Sequence, residues 1–194
     1  MRAKAPRRFK LTTRAAKSHA VAPNRLDRRF EVETPNTLWG GDITYVWTGE
    51  GWLYLAVLMD LCSRKIVGWS LRERLSGELT LEALERALEV RQPGPGLLHH
   101  SDRGSQYTAA VYRARLRSQG LEVSMSRRGN CWDNAPLESF FATLKKELLR
   151  DAGFATRGQA RVAVFDYIEG FYNTRRLHSG LGYLTPAQYE ARTL

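Results

Sequence analysis

Long apolar runs are missing from this chain of 194 residues. The longest, Trp52 to Met59, has eight residues, far short of the ~20 that a membrane-crossing helix needs, so no transmembrane helix is expected. Cysteine is scarce as well. Cys62 and Cys131 are the only two and form no C-x-x-C, which argues against a disulfide framework and against a cysteine-rich zinc site. The first thirty residues are basic but lack both an apolar core and a small-residue cleavage site, so they do not read as a secretory signal; the cytoplasm is the expected compartment. Internal repeats and low-complexity runs are also absent. Apolar residues themselves are not scarce: the composition is 43% hydrophobic and 10% aromatic. That is enough for a real core, because a domain of about 150 residues hides roughly 70% of its unfolded surface, and disorder throughout is excluded.

Acids are few relative to bases, 20 against 30, for a formal charge of +10. Such a balance favours a polyanionic partner. The surplus is unevenly placed. Residues 1–30 hold ten Lys and Arg and one acid, Asp27, so +9 of the +10 lies there. With Pro6, Pro23 and no sustained apolar period, this segment reads as an extended basic arm, followed by a core over 31–194. Each basic side chain docked on a phosphate releases counterions, which suits DNA; a merely solvated tail is the alternative. Within the core, 42–98 has six bases and eight acids, whereas 99–150 has nine bases and five acids. The second half is the better candidate for a nucleic-acid face.

The element order is read from period and punctuation. Asp42 to Trp47 is rich in strand formers, Thr48-Gly49-Glu50-Gly51 supplies a turn, and Trp52 to Leu61 reads as a buried strand. Ser63-Arg64-Lys65 makes the next break before a third strand, Ile66 to Leu71. Three strands with tight links imply an antiparallel meander. Leu79, Leu81, Leu84, Ala87 and Leu88 follow helical spacing until Pro93-Gly94-Pro95-Gly96. Gly96 to Ser101 is a fourth strand, and a helix from Thr108 to Gln119 precedes a fifth, Leu121 to Met125. A helix over about 135–149, a capping-box helix from Thr156 through about Tyr172 and a short one opening at Thr185-Pro186 complete the chain. The fold class is α/β: a mixed five-stranded sheet, three antiparallel strands then two parallel ones, flanked by helices.

Three acids stand in unusual places. Asp42 lies on the first strand, Asp102 at the turn after the fourth, and Glu138 in the first turn of a helix. If the first and fourth strands are neighbours, Asp42 and Asp102 converge at one sheet edge, with Glu138 brought over them. Like charges at such range resist joint ionisation. Two divalent ions about 3.5 to 4 Å apart would relieve that repulsion and suit in-line phosphoryl transfer; oxygen-only ligands favour Mg²⁺, with Mn²⁺ as a substitute, over zinc.

The words around these acids are more specific than their spacing. Trp39-Gly40-Gly41-Asp42-Ile43-Thr44-Tyr45, Asp60 to Trp69, His100-Ser101-Asp102-Arg103-Gly104-Ser105-Gln106-Tyr107, Asp133-Asn134-Ala135 with Glu138-Ser139-Phe140-Phe141, and the ending Tyr172-Asn173 through Thr185-Pro186 occur in order. Together they resemble the integrase-type catalytic core of bacterial insertion-sequence transposases, most closely the second reading-frame product of the insertion sequence 3 family, over about residues 30–194. The resemblance implies a ribonuclease-H-like fold and an Asp-Asp-Glu triad, Asp42, Asp102 and Glu138, that is both catalytic and metal-binding and holds two Mg²⁺. It further implies cleavage and strand transfer on double-stranded DNA, at element ends and target, by at least a dimer in the bacterial nucleoid. Because a helix-turn-helix-like region usually precedes the core in this family, a DNA-binding or assembly fragment without independent activity is the competing reading.

Lys145, seven residues after Glu138 and so near the same helix face, matches the family's basic residue that holds DNA. Arg127 and Arg128 sit in a basic loop suited to clamping a DNA end, with a solvated loop as the alternative. Asp60 is left outside the triad, as a turn cap or a partner of Arg64. His99 and His100, adjacent on a strand, point to opposite faces and read as packing or supporting groups. For Trp132, packing is preferred to base stacking, and His178 is left open.

Overall fold

The computed structural model describes residues 21–127 and 131–193, without the side chains of Cys131 and Trp132. Strand formers at alternating positions build β1 (Leu38–Thr48), β2 (Gly51–Asp60) and β3 (Ile66–Arg72) as an antiparallel meander. The helix α1 (Gly77–Arg91) then crosses over to β4 (Leu98–Ser101), which pairs parallel with β1, and β5 (Glu122–Met125) pairs parallel with β4. The sheet order is β3-β2-β1-β4-β5, the five-stranded mixed sheet expected from the sequence.

Helices cover both faces. On one, Trp39, Leu58, Leu84, Tyr112 and Leu116 bring α1 and α3 (Ala110–Ser118) onto the sheet. Gly68 permits the close approach there: a Cβ on it would lie 2.3 Å from the Ala83 carbonyl oxygen. On the other face, Val46, Leu55, Leu137, Phe140 and Ile168 join the sheet to α4 (Ala135–Leu144) and α5 (Arg157–Phe165). A last helix, α6, spans Pro186–Thr193. The outer carbonyls of β3 accept hydrogen bonds from guanidiniums, Trp69 from Arg86 and Leu71 from Arg161, so the exposed edge offers few free acceptors to another strand.

Three elements differ in detail from the sequence reading. The helix expected over Thr108–Gln119 is α3, and a short helical turn absent from the sequence reading, α2 (Ser105–Thr108), precedes it: the Thr108 hydroxyl bonds back to the Gly104 carbonyl, and extended Ala109 separates the two. The helices α4 and α5 each run on as a wider π-helical segment, Lys145–Leu149 and Asp166–Tyr172. Part of the segment expected as an arm packs on the sheet. Residues 1–20 lie outside the described ones, but Leu26 is buried, the Arg25 and Leu26 amides donate to Ser124 Oγ at 2.9 and 3.2 Å, and Pro23 O accepts from Met125 N on β5. An apolar residue set among arginines gives no period to read, and so the packed body's start was missed.

Candidate active site

The parallel pairing of β1 with β4 places the first two acids. Gly40 faces His100 and Gly41 faces Ser101, so Asp42 and Asp102 are the next residues along adjacent strands, beyond the last paired rung. By the two-residue alternation of strands both project to the face covered by α4. Gly40 lets α4 settle there, since a Cβ on it would stand 2.8 Å from Leu137 Cδ1. Glu138 follows Leu137 directly and lies exposed in the first helical turn. Asp42 and Asp102 thus lie side by side where β4 ends, and Glu138 stands on the helix that covers the same face.

Backbone amides orient the pair. Asp42 Oδ1 accepts from Ile43 N at 2.8 Å, and Asp102 Oδ1 from Gly104 N at 2.8 Å. These bonds do not offset what burial and like charge impose. Burial first, then the neighbouring Asp102 and Glu138 carboxylates, push the Asp42 carboxyl up to about 7, and burial raises Asp102. Among the described residues, no Lys or Arg forms an ion pair with any of the three. Nor do three His, Cys, Asp or Glu side chains close around a common metal position there: Asp42 and Asp102 are a pair, and Glu138 stands off in solvent. The donors are all oxygen and their repulsion is unrelieved, a set that fits hard divalent cations.

Beneath the pair lies a floor that the sequence did not announce. The Tyr107 ring edge and His99 Nε2 would stand 3.3 and 3.2 Å from a Cβ on Gly41, and the Tyr112 hydroxyl bonds His99 Nε2 at 2.9 Å. His100 points to the other face and bonds Ser124 and Ser126. Burial lowers His99 to about 3 and His100 to about 4, so both are neutral at physiological pH, in keeping with packing roles. Asn134, at the start of α4, turns its side chain to Asp42 and favours the ionised carboxylate; its place in the Asp133-Asn134-Ala135 word was the available signal.

The expected DNA contacts fare unequally. Lys145 is exposed, at the point where α4 widens. Arg127 is already engaged: its guanidinium bonds Asp133 at 2.9 and 3.1 Å and Asp27 at 3.2 Å. Arg128 and the side chain of Trp132 fall outside the described residues. Asp60 does cap its turn, accepting from Asn36, Cys62 and Ser63 amides, but its cation is Arg91 at 3.5 Å, not Arg64. Arg64 occupies the left-handed turn position, φ 61°, which carries its side chain away. His178 packs edge-on against Tyr172, ring centroids 4.9 Å apart. A groove of about 630 Å³ lies elsewhere, along β3 between α1 and α5; the acids occupy an open sheet edge, which a long polymer can reach.

This sheet order and carboxylate edge define a ribonuclease-H-like integrase core. Integrase core domain models match residues 32–131 and 138–194, and the chain belongs to that family, in its insertion-sequence transposase branch. It is 49% identical over 168 residues to the transposase for insertion sequence element IS904 of Lactococcus lactis, covering 87% of this chain and 66% of that protein. Against transposase InsF for insertion sequence IS3A of Escherichia coli the identity is 45% over 194 residues, 100% of this chain and 67% of the relative. The insertion element IS600 31 kDa protein of Shigella sonnei is 47% identical, with 99% and 71% covered. The chain therefore spans about two thirds of the length of these relatives. Among solved structures, the HTLV-2 integrase catalytic core domain in complex with magnesium superposes with a TM-score of 0.61 at 17% identity, over 81% of this chain and 97% of that one. A chain of the simian T-cell lymphotropic virus intasome gives 0.68 at 16%, over 91% and 60%. These two likenesses concern the fold. No helix among the described residues is long and apolar enough to cross a membrane.

Proposed function

We propose that this chain is the catalytic core of an insertion-sequence transposase that nicks DNA at element ends and joins the freed 3′ ends to target DNA. The observation that supports this is the bare carboxylate pair: Asp42 and Asp102 side by side, with Glu138 on the helix over the same face and no ion pair to a Lys or Arg among the described residues. When bound, two Mg²⁺ would supply Lewis-acid activation of the attacking oxygen and stabilisation of the leaving 3′ oxygen. Asp42 and Asp102 hold their ligand oxygens at fixed places, because each accepts from a nearby backbone amide, Asp42 on β1 and Asp102 in the turn just past β4. Glu138 rides on a helix and closes the set from above. In nicking, water attacks the phosphorus and the strand's 3′ oxygen leaves; in joining, that 3′ hydroxyl attacks a target phosphodiester and releases the target's own 3′ hydroxyl. Neither step needs a covalent enzyme intermediate. Lys145, on the exposed side of the Glu138 helix, neutralises a backbone phosphate beside the site, and the basic residues 1–20 add sequence-independent affinity. Two ends must be brought together, so the active form is at least a dimer on DNA, acting in the bacterial nucleoid.

The test is Mg²⁺-dependent strand transfer on a duplex carrying an element end, comparing wild type with Glu138→Gln and Asp102→Asn. Both variants are expected to bind the duplex and fail to join it. Undiminished joining in either would remove that residue from the triad, and a wild type inactive on every end would favour the fragment reading.

A further inference from the structure

The turn Cys131–Asn134 leads directly into the Glu138 helix, and its third residue, Asp133, is sealed from solvent. Five donors converge on that carboxylate. Oδ2 accepts from Asn24 Nδ2 at 2.9 Å, Arg127 N at 2.8 Å and Arg127 Nε at 3.1 Å; Oδ1 accepts from Arg28 Nε at 3.0 Å and Arg127 Nη2 at 2.9 Å. The donors come from two places distant in sequence, the foot of the basic arm and the end of β5. One side chain therefore ties the arm, the strand end and the start of α4 together, five residues before Glu138. It also occupies two guanidiniums that could engage phosphate, Arg28 and Arg127, the latter shared with exposed Asp27 at 3.2 Å.

We propose that Asp133 is a positioning residue for the reaction: it registers the Glu138 helix against the sheet and withholds Arg28 and Arg127 from DNA. This rests on the assignment of Glu138 to the chemistry. A merely structural residue, when removed, would weaken binding and rate together. A residue in this place splits them. Asp133→Asn should release cations, tightening the affinity for a nonspecific duplex several-fold and steepening its salt dependence. The joining rate should meanwhile fall about tenfold or more, because small misplacements of a reacting group are costly.

The experiment uses the full chain, with duplex affinity by fluorescence anisotropy at several salt concentrations and single-turnover joining in Mg²⁺, for wild type, Asp133→Asn and Glu138→Gln. Tighter binding with slower joining in Asp133→Asn, beside an inactive Glu138→Gln, supports the proposal. A wild-type rate in Asp133→Asn, or a parallel loss of affinity and rate, overturns it while leaving the Glu138 assignment intact. Full joining by Glu138→Gln overturns that assignment and the role of Asp133 with it. Should Asp133→Asn fail to fold, Arg28→Gln carries the test, since Arg127 still pairs with the carboxylate. Joining slowed several-fold at unchanged duplex affinity supports the proposal, and a wild-type rate overturns it.

Discussion

Two clusters of acids lie on this sheet and have opposite electrostatics. At the β2–β3 turn, Asp60 and Glu190 are buried with cations from the chain itself. Arg91 forms a two-pronged pair with Glu190 at 2.7 and 2.9 Å and approaches Asp60 at 3.5 Å, and Lys65 reaches Glu190 at 2.9 Å. Burial opposes ionisation of Glu190, yet Arg91 and Lys65 hold it below the usual carboxylate range. Where β4 ends beside β1, Asp42 and Asp102 have backbone amides and no paired cation among the described residues, and Asp42 is lifted to about 7. A finished charge network fixes structure, here α6 onto α1 and the turn. An unfinished one marks where something else must bind.

The contrast can be broken experimentally, and the largest effect concerns chemistry. Asp42→Asn should lower strand transfer by about a thousandfold or more, as loss of one member of a cooperating set does, while raising the thermal stability of the metal-free protein at pH 8. A variant that is both inactive and less stable would contradict the unrelieved repulsion. Next is Arg91→Met, which strips the finished network of its shared cation. Removing one partner from a buried pair costs about 3 kcal/mol or more, measurable by urea unfolding, and a loss below about 1 kcal/mol would show the pairing to be incidental.

The pH dependence of stability sharpens the same comparison. Asp42 binds its proton more tightly folded than unfolded, so the folded state gains protons relative to the unfolded one between about pH 4 and pH 7. Stability of the metal-free protein therefore falls as pH rises through that window, by about 2 kcal/mol once solvent screening of a half-buried carboxylate is allowed for. Half-buried Asp102 and buried Asp60, also raised, act in the same direction. Asp42→Asn should make the fall shallower, and added Mg²⁺ should raise the melting temperature more at pH 8 than at pH 5. Equal shifts at both would count against cation binding at this pair. The smallest effect belongs to the exposed pair Arg72–Glu78, 2.7 Å apart: Glu78→Gln should change stability by less than about 1 kcal/mol, showing that burial rather than pairing sets the scale.

Much of this was legible in the sequence. The antiparallel meander was legible from two short links and the parallel strands from two helical crossovers, and Asp42 and Asp102 stood out as acids set in specific words at or after strands. What remained hidden depends on partners remote in the chain. Asp60 was expected to cap its turn, and does, but no local pattern pointed to Arg91 as its cation, because α1 brings that residue back from a distance. The arm's last ten residues read as an extended segment because their anchors, Ser124 and Asp133, lie about a hundred positions away. The short α2 and the π-helical segments turn on local choices of hydrogen-bond partner, which composition does not register.

The pairing of Gly40 with His100 and of Gly41 with Ser101 carries one more implication. Sixty residues separate Asp42 from Asp102 along the chain, yet their spacing in the molecule is the distance between neighbouring strands, roughly 4.8 Å in any sheet. The gauge of the proposed active site is therefore a constant of backbone hydrogen bonding. The crossover through α1 and its Pro93-Gly94-Pro95-Gly96 exit can lengthen, shorten or drift in sequence without moving the two carboxylates apart, and descendants of such a core can vary everything between them while keeping the same reach across one phosphodiester.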